Sequence, residues 1–97
     1  MAAYVVMLRE GPVRDAAEMA EYQRMNREKK SNPVAVEPVV IYGAVQALEG
    51  QAPDGVIILK FATLEEAQAW YNTPEYQAAI PHRKRAADYR GFIVQGV

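Results

Sequence analysis

Residues 55–61 read Gly55-Val56-Ile57-Ile58-Leu59-Lys60-Phe61, and this stretch decides the fold. It is a short run rich in β-branched residues that follows the turn signal Asp54-Gly55, which is typical of a β-strand. Side chains alternate between the two faces of a strand, and apart from Lys60 both alternating sets are apolar. Helices of the same chain can cover only one face of an antiparallel sheet. The other apolar face therefore needs a surface from outside the protomer to cover it.

The N-terminal part of the chain predicts a strand followed by a helix. Residues 3–9 are a short apolar run ended by a Glu-Gly-Pro turn, which favours a strand. Asp15 and Glu18 have the spacing of a capping box, in which Asp15 accepts from the backbone near Glu18 while Glu18 reaches back. A helix therefore begins there. Residues 29–33 place two lysines at its carboxyl end and then a Ser-Asn-Pro stop.

The middle of the chain predicts a hairpin. Residues 36–48 are rich in β-branched and aromatic residues and indicate a long second strand, bent or bulged because it contains Pro38 and Gly43. The turn-rich residues 49–55 connect it to the strand at 55–61.

The C-terminal part predicts a second helical region and a fourth strand. A capping box begins a helix at Thr63, and Thr73 with Pro74 restarts it as N-cap and first residue. Pro81 is expected to kink or restart it again, and residues 88–95 form the last strand. The order strand, helix, strand, strand, helix, strand predicts an α+β, ferredoxin-like βαββαβ fold with a four-stranded antiparallel sheet and both helices on one face.

The apolar patterning also predicts an oligomer. Strand 3–9, like strand 55–61, is apolar on both faces, and a chain of 97 residues is the length of one domain. We therefore expect residues 1–97 to form a single domain, with a second copy covering the open face of the sheet. The prediction is a homodimer through sheet-to-sheet packing, which makes a dimeric α/β barrel.

Composition removes several classes of function. The chain has no cysteine and one histidine, so neither a metal site nor a thiolate nucleophile is expected, and without a nucleotide-binding motif no cofactor is predicted. A net charge of −1 argues against nucleic acid as a partner. No stretch approaches the roughly 18–20 apolar residues of a membrane span. The N-terminus lacks the pattern of a signal peptide, so no membrane association and a cytoplasmic location are expected.

A family resemblance rests on two further segments beside residues 55–61. They are Glu66-Ala67 before Ala69-Trp70-Tyr71, and Pro74-Glu75-Tyr76-Gln77 with Arg83 seven residues after Tyr76. Over nearly its whole length the chain resembles an uncharacterised bacterial family, domain of unknown function 1330, within the dimeric α/β-barrel superfamily. The resemblance implies a ferredoxin-like protomer and a dimer with facing sheets, and it implies no activity. Relatives in the superfamily include cofactor-independent monooxygenases, small-ring isomerases and ligand-sensing domains, which place small molecules between sheet and helices. Ala44 stands where the family more often has a second adjacent glycine.

Two residues of the last helical region are candidates for chemistry. His82 is the side chain whose ordinary pKa lies nearest neutrality, so it is the candidate catalytic acid or base. Arg83 can bind a carboxylate or phosphate with its two-pronged guanidinium. The alternatives are a solvated His82 that complements the helix dipole, and ion pairs of Arg83 with the acidic middle of the chain.

Aromatic residues are the other candidates for a ligand site. Trp70 and Tyr76 lie on helix stripes and Tyr42 and Tyr89 on strands beside the expected cleft, where rings can line a pocket and hydroxyls can donate to a carbonyl or enolate. The alternative is that these rings are core.

Three functions remain open from the sequence. The first is a dimer that binds a small molecule, anionic or aromatic, between sheet and helices. The second is a cofactor-independent enzyme of monooxygenase, isomerase or lyase type, with His82 or a tyrosine moving a proton. The third is a structural or partner-binding dimer without a ligand.

Overall fold

The predicted order of strands and helices is confirmed in the structure, a computed structural model that describes residues 1–28 and 34–97. The predicted end of the first helix, at residues 29–33, lies outside the described residues. The elements are β1 (Ala3–Arg9), α1 (Ala16–Arg27), β2 (Glu37–Ile41), β3 (Gly55–Phe61), α2 (Leu64–Tyr71), α3 (Pro74–Ala86) and β4 (Tyr89–Gln95).

The four strands form one antiparallel sheet in the order β2-β3-β1-β4, which is the ferredoxin-like topology. β1 lies inside the sheet, and its Val5 is opposite Leu59 of β3 and Ile93 of β4. β2 is an edge strand with an irregular register between Pro38 and Val40. The expected bulge in the second strand is therefore present, at a position where an edge tolerates the missing donor of a proline.

One face of the sheet packs against the helices. Ala3, Val5 and Met7 of β1 are buried there, as period-2 alternation requires. They join a core made largely of small and aromatic side chains from all three helices. The other buried members are Met19, Tyr22, Phe61, Ala67, Trp70, Tyr76, Ala79, Ile80, Ala86 and Ala87.

Each helix begins at a side-chain cap. Asp15 accepts from the backbone N–H of Glu18, Thr63 from that of Glu66, and Thr73 from that of Tyr76. Such a cap typically stabilises a protein by about 1 kcal/mol. Pro74 occupies the first turn of α3, where a missing N–H costs no hydrogen bond, and α3 continues through Pro81 as one helix.

The helix restart predicted at Pro81 is wrong, since α3 runs through Pro81 without a break, and two other local predictions are wrong as well. The second strand ends at Ile41 instead of Leu48, because Tyr42 has a left-handed backbone (φ 52°) that no strand can contain. The Glu18 side chain does not reach back in a capping box. Its carboxylate instead binds His82 and Arg85 of α3, since charged partners compete well with a backbone donor.

The second face of the sheet is apolar at its centre, and no helix of the described residues lies over it. Tyr4, Val6, Ile58, Phe92 and Val94 share this face by register, and the charged Lys60 and Arg90 lie on it opposite Tyr4 and Leu8. Phe92 is 45% exposed and Val94 46%. We call this face the open face of the sheet. In the part of the chain that the structure describes, no helix is both long enough and apolar enough to cross a membrane.

Candidate functional site

A cavity of about 600 Å³ lies between the helices and the β2–β3 half of the sheet. It exists because α1 packs on α3 and leaves a space between itself and the outer strands. Its wall is formed by apolar and aromatic side chains with a few polar groups among them. The lining residues are Met7, Tyr22, Gln23, Asn26, Arg27, Val34, Val36, Pro38, Ile41, Tyr42, Ile57, Leu59, Trp70, Tyr76, Arg83 and Tyr89.

The cavity has a mouth and a deep end. Gln23 and Arg27 of α1 and Pro38 and Ile41 of β2 are exposed, so the mouth opens between α1 and the edge strand. Tyr22, Trp70, Tyr76 and Arg83 are buried and form the deep end. The volume is within the range typical of small-molecule pockets, about 300–1,000 Å³.

Aromatic rings form one wall of the deep end. The rings of Trp70 and Tyr76 lie 4.3 Å apart between centroids with 35° between their planes. Tyr22 meets Tyr76 edge-on at 6.3 Å, and Phe61 supports Trp70 from the core at 5.5 Å. Such contacts fix the orientation of the rings, which form an almost fully buried apolar wall with Trp70 5% and Tyr76 1% exposed.

Tyrosine hydroxyls are paired at two places in the cavity wall. The hydroxyl oxygens of Tyr22 and Tyr76 are 2.8 Å apart, and those of Tyr42 and Tyr89 are 2.5 Å apart. Burial and the neighbouring Tyr89 hydroxyl raise the pKa of Tyr42 far above its ordinary value. Burial and the neighbouring Tyr22 hydroxyl raise the pKa of Tyr76 in the same way. Both hydroxyls therefore stay protonated in neutral solution and can donate hydrogen bonds.

Arg83 is a buried cation in this cavity. Its residue is 6% exposed and its guanidinium carbon lies 5.5 Å from the centre of the Tyr89 ring, which gives a cation–π contact. Among residues 1–28 and 34–97, no carboxylate forms an ion pair with Arg83, and its buried Nε has no hydrogen-bond partner. Asn26, which also lines the cavity, has a buried Oδ1 without a partner.

The structure brings the five predicted ligand-binding residues to this one cavity. Tyr42, Trp70, Tyr76, Arg83 and Tyr89 all line it. Arg83 lies in the buried part of the cavity.

His82, the predicted catalytic residue, does not line the cavity. Its Nδ1 lies 2.5 Å from a carboxylate oxygen of Glu18, on the surface where α1 meets α3. Arg85 binds the same carboxylate at 3.0 Å. The hydrogen bond from Arg85, and then that with His82, holds the pKa of Glu18 below its usual value.

Sequence reasoning missed the contribution of α1 and β2 to the site. Tyr22 of α1 belongs both to the core and to the cavity wall. The sequence hardly indicated that Asn26 and Arg27 line a cavity, because polar residues near the end of an amphipathic helix are usually solvated. Within the described residues, no group of three or more His, Asp or Glu side chains is placed to hold a metal ion.

Comparisons with known proteins support the family and the fold. The family model described as a domain of unknown function, DUF1330, matches residues 2–97. The methylated form of a Rhodopseudomonas palustris protein of unknown function is similar in structure, with TM-score 0.72 and 18% identity over 99% of this chain and 81% of that one. No curated protein matches the sequence significantly.

Two further solved structures share the fold. A dimeric ferredoxin-like protein of unknown function from Thermobifida fusca has TM-score 0.64 and 12% identity, over 99% of this chain and 92% of that one. A candidate antibiotic biosynthesis monooxygenase from Nitrosomonas europaea has TM-score 0.60 and 19% identity, over 99% and 89%. At these identities the similarity establishes the fold alone.

Proposed function

The chain belongs to the DUF1330 family, a domain of unknown function, and from the lining of its cavity we propose that it binds a small, largely apolar molecule between sheet and helices. The observation that carries this proposal is the cavity itself, about 600 Å³ and walled by Trp70, Tyr76 and aliphatic side chains of β2 and β3. Pockets of this kind, mostly apolar with a few convergent polar groups, are the usual sites of small ligands.

A homodimer packed sheet to sheet is part of the same proposal. An antiparallel sheet that faces water normally alternates to polar residues, and the open face instead carries apolar side chains at its centre, with the charged Lys60 and Arg90 towards its ends. A second copy would bury this face and leave the cavity, on the opposite side of the sheet, accessible. The T. fusca protein of the same fold is described as dimeric. Light scattering should give twice the chain mass of 10.8 kDa, and a monomer at micromolar concentration would contradict the proposal.

Trp70 provides a direct test of ligand binding because it is the single tryptophan and lines the cavity. Phenylnaphthylamine, a neutral apolar fluorophore, should accept excitation energy from Trp70 when bound. Ile57→Phe, which fills the cavity from β3, should weaken this binding at least about ten-fold, or about 1.4 kcal/mol. Leu48→Phe is the matched control, since Leu48 is 91% exposed and lies outside the cavity.

The same experiment can also contradict the proposal that the cavity binds the ligand. If Ile57→Phe and Leu48→Phe bind the probe equally while both remain folded, the cavity is not the binding site. Native mass spectrometry of the protein purified from cells adds an independent readout, since a retained ligand appears as extra mass on each subunit. Absence of both probe binding and retained mass would favour the third hypothesis, a structural or partner-binding dimer.

A second candidate function is a cofactor-independent enzyme of monooxygenase, isomerase or lyase type. One observation favours it: the hydrogen-bonded Tyr42–Tyr89 hydroxyl pair lies beside the Arg83 guanidinium, an arrangement that can stabilise an enolate or another oxyanion. The N. europaea protein of the same fold is named as a candidate monooxygenase. A ligand recovered from the protein and incubated with it in air would be converted by an enzyme and returned unchanged by a binding protein.

A further inference from the structure

Arg83 is unusual because it is a buried charge without a described counter-ion. Removing a guanidinium from water costs free energy that is normally offset by a carboxylate partner or by several hydrogen bonds. Arg83 is 6% exposed, its Nε has no partner, and the Tyr89 ring is the one aromatic face over which it lies. A ring face offsets only part of that cost.

The charged side chains among the described residues that line the cavity are all cationic. Among its described lining residues the charged side chains are Arg83 at the deep end and Arg27 at the mouth, and neither Asp nor Glu is present. A low-dielectric pocket lined by cations raises the local concentration of anions. The mouth therefore attracts, and the deep end holds, a negative group.

The hydroxyls near Arg83 add donors for the same group. The Tyr42–Tyr89 pair contains two hydroxyl hydrogens, and the hydrogen bond between the two oxygens uses one of them. The other is available to an acceptor in the cavity. A guanidinium fork with an adjacent neutral hydroxyl donor suits an acceptor-only group such as a carboxylate, which binds Arg in bidentate fashion.

The aromatic wall indicates the chemical class of the part of the ligand that is not the acid group. Tyr76 and Arg83 are seven residues apart on one face of α3, about 10 Å along the helix. Trp70 and Tyr76 line the same cavity as Arg83, so one ligand can place an acid group and a flat ring system there together.

We propose that the cavity binds a planar aromatic monocarboxylate, with its acid group on Arg83 and the Tyr42–Tyr89 pair and its ring against Trp70 and Tyr76. This inference rests on the proposed binding function and adds the charge and chemical class of the ligand. Arg83 is its specificity determinant.

Calorimetric titration with naphthoate and its neutral counterpart naphthamide tests the proposal. We expect the wild-type protein to bind naphthoate at least about ten-fold more tightly than naphthamide. Arg83→Met keeps the apolar stem and removes the charge, so it should abolish this preference and leave naphthamide binding unchanged. Arg83→Lys keeps the charge without the fork and should retain part of the preference. Arg85→Met, on the same helix but outside the cavity, should change neither affinity.

Several results would overturn the proposal. Equal binding of the acid and the amide by the wild-type protein would do so without any variant. If Arg83→Met and Arg83→Lys each lose affinity for naphthoate and for naphthamide to the same extent, Arg83 has a purely structural role. If phenylnaphthylamine binds and naphthoate does not, the ligand class is wrong while the cavity function stands. If neither compound binds, the proposed function fails and this inference fails with it.

Discussion

Tyr42 adopts a backbone conformation that favours glycine. Its φ is 52°, which for a side chain of this size costs about 1–3 kcal/mol. The surrounding contacts hold it there: its N–H donates to the carbonyl of Val56 at 2.8 Å, its hydroxyl meets that of Tyr89, and Arg9 lies 5.7 Å from its ring centre. Such strain is typical of functional positions, and here it directs a protonated hydroxyl into the cavity.

The contact between Tyr42 and Gly55 gives a prediction at the residue scale. A Cβ at Gly55 would lie 2.9 Å from two carbons of the Tyr42 ring, closer than ordinary contact allows. Gly55→Ala should therefore displace Tyr42 and lower the free energy of unfolding by about 1–3 kcal/mol, as overpacking typically does. Urea denaturation followed by circular dichroism measures this loss.

Gly43→Ala is the matched control for that experiment. At Gly43 the nearest atom to an added Cβ is a Val40 methyl at 3.9 Å, and φ is not positive. Alanine there should be neutral or slightly stabilising, because it restricts the unfolded chain. Equal stabilities for the two variants would mean that Tyr42 is not held against Gly55.

Individual site residues differed in how well the sequence predicted them. Trp70 and Tyr76 were predictable because apolar spacing on a helix identifies the face that packs on the sheet. His82 and Arg83 are neighbours in a polar stretch, and consecutive helical residues point about 100° apart. Which of the two faces the cavity depends on how α3 lies against α1, and that information is not local. Arg83 turns inward, while His82 turns to Glu18.

At the scale of elements, α1 and α3 are joined by a charged cluster as well as by packing. Glu18 of α1 receives hydrogen bonds from Arg85 and contacts His82, both on α3. The Arg85 hydrogen bond is the first cause of the lowered pKa of the Glu18 carboxyl, and the His82 contact is the second. The ionised form of Glu18 is therefore favoured in the folded protein.

This cluster predicts how stability depends on pH. A carboxyl whose pKa is lower in the folded state stabilises the protein fully above its unfolded pKa, here about 4.5, and loses that contribution as the pH falls through the folded pKa. We expect the free energy of unfolding to fall with decreasing pH below about 4.5, and Glu18→Gln and Arg85→Gln to flatten this dependence. Urea titrations from neutral to acidic pH measure it. Parallel curves for wild type and Glu18→Gln would exclude a role for the cluster.

The length of β2 shows that a local sequence pattern does not determine where a strand ends. Residues 36–48 have a strand-forming composition, and β-branched residues predict a pleated surface wherever they occur. Pairing with β3 nevertheless stops at Ile41, because the left-handed Tyr42 ends the extended backbone. Val45 and Leu48 then lie exposed in the connection. The caps at Asp15, Thr63 and Thr73 were predictable because a cap is a contact within four residues.

At the scale of the whole molecule, one sheet supports two separate surfaces. Alternate residues of β3 serve each of them: Ile57 lines the cavity, and Ile58 belongs to the open face. The proposed ligand binding and the proposed self-association would therefore use different side chains of the same strands, so a substitution could remove either one and leave the other surface unchanged. Sequence patterning could predict both surfaces, because period-2 alternation assigns residues to faces without knowledge of the packing.

The last prediction concerns the open face. Phe92→Asp places a charge at the centre of the proposed dimer interface, where it would be desolvated without a partner, so we expect the mass in solution to fall from twice 10.8 kDa to 10.8 kDa. Leu64→Asp on α2 is the control, since Leu64 is exposed on the helix side and should leave the dimer intact. Light scattering measures the mass, and the melting temperature of Phe92→Asp should lose the concentration dependence of a dimer. A Phe92→Asp protein that remains dimeric would place the interface elsewhere.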